Sequence, residues 1–263
     1  MIDINERPLS FSSLSNFAIS PLHYIKYITQ PKTTSPQMQL GSLVHTLILE
    51  PQEASKYIVS PKFDLRKKAD KEAKEEFELA NKGLEVIDPD VWQQAKDMQE
   101  SVYSYKKAKS VLDNIKETEK QFIINIMTMP MKGFIDGIGY MLENPYIVEL
   151  KTSKTADPNE VPKDFFNKKY YIQAAVYTLA LRELGIIERD EYPPFMYIVV
   201  ESAYPYITTV FQADRAYVDY GIQELTRLLS EFKMWMDAGY PVSGYSKTGV
   251  EEIHTLGLPM WIK

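Results

Sequence analysis

Cysteine is absent from the sequence, and only three histidines occur among its 263 residues. Without thiols the chain cannot form a disulfide bond, use a thiolate nucleophile or hold an iron–sulfur cluster. The histidines, His23, His45 and His254, are far apart in the sequence, which argues against a multi-histidine zinc site. We therefore expect any bound metal ion to have mainly oxygen ligands.

Longer sequence signals are missing as well. No stretch of about 18 apolar residues could cross a membrane, and the chain does not begin with a charged and then apolar leader. A glycine-rich phosphate loop of the P-loop or dinucleotide type is also absent, which leaves ATP or NAD chemistry without support. These absences predict a soluble intracellular protein that works in the cytoplasm without a membrane partner.

The residues that are present suit one sizeable globular domain. Hydrophobic residues make up 44% of the chain and aromatic residues 12%, so a chain of this length can bury a large core. The net charge of −6 argues against a protein covered in basic surface. Contact with nucleic acid is still compatible with this charge, because it depends on where the lysines cluster.

The order of the periodic segments predicts a mixed α/β fold. Helical spacing of apolar residues dominates the first part of the chain, including residues 38–49 and 91–112. Strand-like runs follow at residues 119–126, 146–152, 195–203 and 206–211. Two long helical segments complete the pattern, at residues 163–184 and 214–238. We predict a single domain over residues 1–263, with a helical part up to about residue 116 and a catalytic core at about residues 117–240 that has a central sheet flanked by helices.

One pair of predicted strands carries charged residues in an unusual arrangement. Residues 146–150 are mostly apolar, and in an extended strand Glu149 and Lys151 point to one face while Leu150 points into a core. Residues 143–145, Glu-Asn-Pro, suit a turn that would bring Asp136 of the preceding strand close to Glu149. Two carboxylates beside one ammonium can bind Mg²⁺ and stabilise the charge on an attacked phosphate. The arrangement is typical of a nuclease site.

Other polar residues lie in segments that could face this pair of strands. His45 lies within the apolar helical segment, so it is either a hydrogen-bonded core histidine or a ligand. Gln173 and Tyr177 fall on one helix face, where they can act together or simply pack against the sheet. Glu119 begins the first predicted strand of the core and could lie near the site.

Simpler explanations are open for each of these features alone. Asp136 and Gly137 can form an ordinary turn, and Glu149 with Lys151 can be a solvated pair on an edge strand. Residues 62–76 mix basic and acidic side chains, which indicates a solvated surface helix, although the first basic residues could also contact phosphates. Only the joint occurrence of the polar residues favours a functional site.

Four short motifs occur in a characteristic order. They are Gly41-x-x-x-His45, Gly133-x-x-Asp136-Gly137, Val148-Glu149-Leu150-Lys151-Thr152 and Tyr170-x-x-Gln173-x-x-x-Tyr177. This order resembles the PD-(D/E)XK nuclease superfamily, with its restriction-endonuclease-like core and central mixed sheet, and within it the RecB-like and RecE-like branches. The segments 38–45, 63–68 and 171–177 look most like the RecE type, the phage-associated exodeoxyribonuclease VIII, and the similarity covers about residues 12–180.

The resemblance implies a set of site residues. The implied metal ligands are Asp136, Glu149, His45 and the Leu150 backbone carbonyl. Lys151 would position the attacking water, and Gln173 with Tyr177 would hold substrate or catalytic groups beside it. The implied cofactor is Mg²⁺, with Mn²⁺ as a substitute. The acid at position 149 is Glu where close RecE-like members often have Asp, and this longer carboxylate can still reach a metal ion.

The resemblance also implies an activity and partners. Proteins of this type degrade linear double-stranded DNA from its 5′ ends, release 5′-mononucleotides and leave 3′ single-stranded tails for phage-type recombination. A homo-oligomeric ring, a single-strand annealing protein as partner and a bacterial or phage-encoded origin are expected on the same basis. Two alternatives stand beside this: a RecB-like or Cas4-like nuclease acting on single strands, and a catalytically silent DNA-binding module of the same fold. The intact Asp136, Glu149 and Lys151 favour an enzyme over the silent module.

Overall fold

The structure of the protein is a computed structural model that describes residues 7–31, 33–251 and 253–258. In that part of the chain the helices α1 to α9 span Phe11–Ile19, Pro21–Thr29, Pro36–Leu49, Lys68–Ala80, Pro89–Ser104, Lys106–Leu112, Val161–Asn167, Tyr170–Glu183 and Arg215–Asp237. The strands β1 to β7 span Tyr57–Val59, Glu85–Ile87, Ile115–Ile126, Met129–Met141, Asn144–Ser153, Phe195–Glu201 and Thr208–Ala213. A short 3₁₀ helix, Pro51–Lys56, follows α3.

The strands β3 to β7 form one sheet in chain order. β3, β4 and β5 are antiparallel neighbours, β6 lies parallel to β5, and β7 is antiparallel to β6. β1 and β2 form a separate two-stranded parallel sheet within the otherwise helical first part of the chain. The predicted mixed α/β fold, with a central mixed sheet flanked by helices, is therefore confirmed.

A hydrophobic core lies on each face of this sheet. On one face α1, α2, α8 and α9 pack together, and Phe17, Phe232 and Trp235 are buried among them. On the other face α3 and α5 cover the sheet, with Leu43 and Met98 fully buried. β5 is the middle strand of the sheet and is covered on both faces, so the solvated edge-strand explanation for its charged residues is wrong. A buried strand carries charges only where they have partners or a function.

Two predicted helices are each broken in two. Residues 91–112 belong to α5 and α6, because the backbone becomes extended at Tyr105 (φ −81°, ψ 103°). Residues 163–184 belong to α7 and α8, because Lys169 adopts a left-handed conformation (φ 59°, ψ 31°). Apolar residues continue at helical spacing across both breaks, so the spacing alone could not locate them. The second break is important for the site, because it places the first residue of α8, Tyr170, against β5.

The turn between β4 and β5 is shorter than predicted. It lies at Leu142 and Glu143, with a left-handed backbone at Leu142 (φ 58°), whereas residues 144 and 145 already pair with β4. The antiparallel register pairs Gly137 with Val148, and this places the preceding Asp136 opposite Glu149. The predicted neighbourhood of the two carboxylates therefore holds despite the shifted turn.

Of the charged residues 62–76 predicted as a solvated helix, residues 62–67 are not helical and the rest belong to α4, which has no buried residue. Its charges are largely paired with each other, as in the Lys68–Glu72 and Lys74–Glu78 ion pairs. Separately, no helix within the described residues combines the length and apolar character that crossing a bilayer needs.

A tight contact between α8 and α9 at Gly221 yields a prediction about stability. A Cβ atom at Gly221 would lie 2.0 Å from the carbonyl oxygen of Tyr171. Gly221→Ala should therefore destabilise the protein by about 1–3 kcal/mol, since overpacking outweighs the roughly 1 kcal/mol gained in helix propensity. Denaturant unfolding measures the change. Gly257→Ala is the control, because nothing lies within 4 Å of its added Cβ, and an equal stability for both variants would contradict the packing argument.

Candidate metal centre and active site

A polar cleft of about 680 Å³ opens between α3 and the sheet. Its lining includes His45 from α3, Glu119 from β3, and Leu150 and Lys151 from β5. Asp136 and Glu149 adjoin these residues and are buried, with 8% and 3% of their surfaces exposed. Three consecutive strands, β3, β4 and β5, and the distant helix α3 thus bring their charged residues to one place.

Asp136 and Glu149 form the buried centre of this cluster. Asp136 Oδ2 accepts a hydrogen bond of 2.8 Å from the backbone N–H of Leu150. Burial and the nearby charge of Glu149 nevertheless raise the pKa of Asp136 well above its usual value. Two carboxylates held this way repel each other, and a bound cation would relieve the repulsion.

Lys151 supplies the compensating positive charge. Its Nζ atom lies 2.6 Å from Glu149 Oε1 and 4.4 Å from the centre of the Tyr170 ring. Burial by itself would lower the pKa of Lys151, but Glu149, Tyr170 and Asp136 together raise it above the usual value. The side chain therefore remains an ammonium, with 17% of its surface open to the cleft.

His45 contacts the same strand. Its Nε2 atom lies 2.7 Å from the carbonyl oxygen of Leu150, and because a carbonyl can only accept, Nε2 carries the proton. The unprotonated Nδ1 atom lies 3.6 Å from Asp136 Oδ2. Burial lowers the pKa of His45, which keeps the ring neutral, as metal ligation requires. The Leu150 carbonyl oxygen accepts this hydrogen bond with one of its two lone pairs. The predicted role of this oxygen as a metal ligand would use the second lone pair.

Glu119 completes the cluster, although the sequence only suggested that it lies nearby. The β3–β4 register pairs Thr118 with Gly137 and Lys120 with Ile135, so Glu119 lies opposite Asp136. Ligand atoms of His45, Glu119 and Asp136 lie within 4.8 Å of one another. Burial and the charge of Asp136 raise the pKa of Glu119 to about 7. The left-handed backbone of Glu119 (φ 47°), rare for a residue other than glycine, is a local feature that strand alternation could not predict.

Gln173 and Tyr177 lie behind the cluster, on α8. Gln173 Nε2 donates hydrogen bonds to Glu149 Oε1, at 2.7 Å, and to Tyr177 Oη, at 3.0 Å. The motif glycine Gly133 permits this packing, because a Cβ there would lie 2.6 Å from the ring of Phe122, which packs edge-on against Tyr177. Gln173 therefore orients Glu149, and Tyr177 orients Gln173.

This chain of hydrogen bonds predicts graded effects on any activity of the site. Gln173→Leu should lower the rate of metal-dependent cleavage by about 10–100-fold, the usual loss when a group that orients a metal ligand is removed. Tyr177→Phe keeps the hydrogen bond from Gln173 to Glu149, so the rate of this variant should fall by less than about tenfold. Steady-state cleavage rates at saturating metal measure both. An unaffected Gln173→Leu variant would show that Glu149 needs no such support.

The residues present fit a divalent metal ion. Glu149 Oε2 and Gln173 Oε1 are buried, and neither has a hydrogen-bond partner among the described residues. A buried carboxylate oxygen without a donor is costly unless a cation satisfies it. Carboxylate oxygens with one imidazole nitrogen form a donor set that can bind a divalent metal ion.

The fold has a counterpart among solved structures. The crystal structure of a protein from Eubacterium rectale, described as a "putative exonuclease", matches 97% of this chain and 92% of that protein with a TM-score of 0.59 and 12% identity. At this identity the likeness shows a shared fold. A second structure, that of SSO0001, covers 73% of this chain and 85% of that one at 15% identity, and its TM-score of 0.30 supports no argument. No sequence among curated proteins matches this chain.

Comparison with family models shows that the chain is a domain of the PDDEXK class. The model of one family in that class, described as "PDDEXK-like domain of unknown function (DUF3799)", matches residues 10–243. The chain belongs to this family. The resemblance to the PD-(D/E)XK superfamily is thereby confirmed at the level of the superfamily.

Proposed function

We propose that the protein is a divalent-metal-dependent nuclease that hydrolyses phosphodiester bonds in DNA. The observation that carries this proposal is the convergence of His45, Glu119, Asp136, Glu149 and Lys151 at one cleft. Membership of a PDDEXK-like family supports it. The fold shared with a protein described as a putative exonuclease is consistent with it.

The proposed ion is Mg²⁺, with Mn²⁺ as a substitute, and its first proposed ligands are His45, Glu119 and Asp136, whose ligand atoms lie within 4.8 Å of one another. Glu149, through its unpartnered Oε2 atom, and the Leu150 carbonyl are proposed as further ligands. When bound, the ion would offset negative charge at the phosphate and lower the pKa of an attacking water. The chain prepares for this role by keeping His45 neutral and by leaving Glu149 Oε2 without a donor.

Lys151 is proposed to act directly on the substrate. Because its pKa is raised, the ammonium donates hydrogen bonds and does not serve as a general base. It can orient a water molecule or a phosphate oxygen and stabilise the charge that develops during hydrolysis. Glu149 and the ring of Tyr170 fix the position of Nζ within the cleft.

The finer features of the activity rest on the motif order that resembles the RecE type. We propose digestion of linear double-stranded DNA from its 5′ ends, with release of 5′-mononucleotides and retention of 3′ single-stranded tails for recombination. A homo-oligomeric ring and a single-strand annealing partner belong to the same proposal. Action on single strands, as in RecB-like nucleases, is the competing outcome.

A cleavage assay tests the proposal. Linear duplex with open 5′-phosphorylated ends, the same duplex blocked at both ends, and a single strand are each incubated with protein in Mg²⁺ or EDTA. We expect wild-type protein to release nucleotides from the open duplex in Mg²⁺ but not in EDTA. Lys151→Ala protein should release none in either condition. Release only from the single strand would favour the RecB-like alternative. No release from any DNA would favour the catalytically silent module.

A further inference from the structure

We propose that a second groove, next to the catalytic cleft, binds the backbone phosphates that flank the cleaved bond. This inference rests on the proposed nuclease function and adds a substrate subsite to it. The groove has a volume of about 620 Å³ and lies where β5 ends, between the loop that follows it and α7. Its lining includes Ser153, Lys154, Lys163 and Lys168. We call it the lysine groove.

The lysine groove is a direct continuation of the catalytic strand. Alternation along β5 places Glu149, Lys151 and Ser153 on one face, and each step of two residues covers about 6.6 Å. This step is comparable to the distance between consecutive phosphates of a DNA strand. A strand whose scissile phosphate lies at Lys151 would therefore place its next phosphate near Ser153, at the start of the groove.

One aromatic ring joins the cleft to the groove. The centre of the Tyr170 ring lies 4.4 Å from Nζ of Lys151 and 6.0 Å from Nζ of Lys168. Tyr170 lines the cleft, and Lys168 lines the lysine groove. A DNA strand that passes the Tyr170 ring would therefore move from the ammonium group of Lys151 to that of Lys168.

The charges of the groove suit phosphate. Its three lysines face two acids, Glu160 and Asp164. Lys168 is paired with Asp164 at 2.6 Å, whereas Lys154 and Lys163 are exposed and make no ion pair with any residue that the structure describes. When an unpaired ammonium group neutralises a DNA phosphate, counterions condensed on the DNA are released, and this favours association.

The surroundings strengthen this assignment. The catalytic cleft is lined by three glutamates, at positions 50, 85 and 119, and by only two lysines, at positions 56 and 151, and the whole chain carries a net charge of −6. A polyanion in such a cleft is repelled except where a metal ion or lysines compensate. The lysine groove supplies this compensation directly beside Lys151.

DNA binding in EDTA tests the groove without cleavage. Wild-type protein and the double variant Lys154→Gln/Lys163→Gln are titrated against a labelled oligonucleotide at several salt concentrations. We expect the double variant to bind about tenfold more weakly and its salt slope to fall by about 1–2, one for each lost phosphate contact. Glu160→Gln should change affinity in the opposite direction, because it removes a negative charge from the groove.

The control variant is Lys106→Gln/Lys107→Gln. These two exposed lysines lie on α6, whose Val111 carbonyl accepts a hydrogen bond from Tyr146 at the opposite end of β5. We expect this variant to bind like the wild type. Equal weakening in both double variants, or no weakening in either, would overturn the proposal.

A second arm separates backbone binding from general charge. The substrate carries one uncharged methylphosphonate at the linkage next to the cleaved bond, and its cleavage in Mg²⁺ is compared with that of normal DNA. With wild-type protein the methylphosphonate should lower the cleavage rate about tenfold. With the groove variant it should have little further effect, because the lysine substitutions have already removed the same contact. Fully additive losses would overturn a direct contact.

The two arms also distinguish the inference from the proposed function. If wild-type protein cleaves no DNA but the groove variant still binds more weakly, the nuclease function is wrong and the groove is supported. If cleavage is normal and the groove variant behaves like the wild type in both arms, the function is supported and the groove is wrong.

Discussion

Lys151→Ala should lower the rate of Mg²⁺-dependent DNA cleavage by about 10²–10³-fold, the usual effect of removing a group that stabilises transition-state charge. The reason is geometric, because Lys151 Nζ is held 2.6 Å from Glu149 with a fraction of its surface open to the cleft. The same substitution leaves Glu149 and Asp136 as neighbouring buried carboxylates without a cation. We therefore also expect a loss of about 3 kcal/mol in unfolding free energy in EDTA, which Mg²⁺ should partly restore.

Two measurements separate these effects. Cleavage is measured well below the unfolding temperature of the variant, and circular dichroism confirms that it is folded. Lys151→Arg is the matched control, since it keeps the charge but not the compact ammonium. It should retain most of the stability and lose most of the activity. A Lys151→Ala variant that cleaves within about tenfold of the wild-type rate would remove Lys151 from the active site.

Asp136→Asn should abolish cleavage and, at the same time, stabilise the protein in EDTA. Burial and Glu149 raise the pKa of Asp136, so the folded state favours the protonated carboxyl more than the unfolded state does. A raised carboxyl pKa contributes stability at low pH that is lost as the pH rises through the folded-state pKa. Ionising Asp136 as the pH rises therefore costs the folded state stability, and a neutral amide carries no such cost. The gain should be about 1 kcal/mol, or roughly 2–4 °C in Tm.

Thermal unfolding with and without Mg²⁺ checks this prediction. Wild-type protein should become more stable as Mg²⁺ is added, by about 2.7 kcal/mol when the concentration is 100 times the Kd. Asp136→Asn should lose most of this response. Asp190→Asn, at an exposed carboxylate, is the control and should behave like the wild type. A fall in Tm of the Asp136→Asn variant in EDTA would show that the carboxylate supports the fold.

The central pair of the site could be predicted from the sequence because it depends on local rules. Strand alternation gave the common face of Glu149 and Lys151, and a short antiparallel connection was enough to bring Asp136 opposite Glu149. Helical spacing of Gln173 and Tyr177 likewise predicted that they act as a unit. Each of these relations involves neighbours within a strand, a helix or a hairpin.

Features that depend on backbone detail or on distant packing could not be predicted in the same way. The left-handed residues Lys169 and Glu119 leave no mark in the apolar pattern, yet one breaks a helix and the other lies opposite Asp136. The bond from His45 to the Leu150 carbonyl depends on how α3 lies across the sheet. The lysine groove is formed by a loop and a short helix, and these residues were not predicted from the sequence to form a site.

The hydrogen bond between His45 and Leu150 joins residues that are 105 positions apart in the chain. During synthesis on the ribosome α3 therefore emerges long before the strand that it covers. Its apolar residues, among them Leu43, Val44 and Leu47, have no sheet to pack against until β5 has been made. Contacts of such large sequence separation form late in folding. We expect no truncated product that ends before β5 to bind metal at this site.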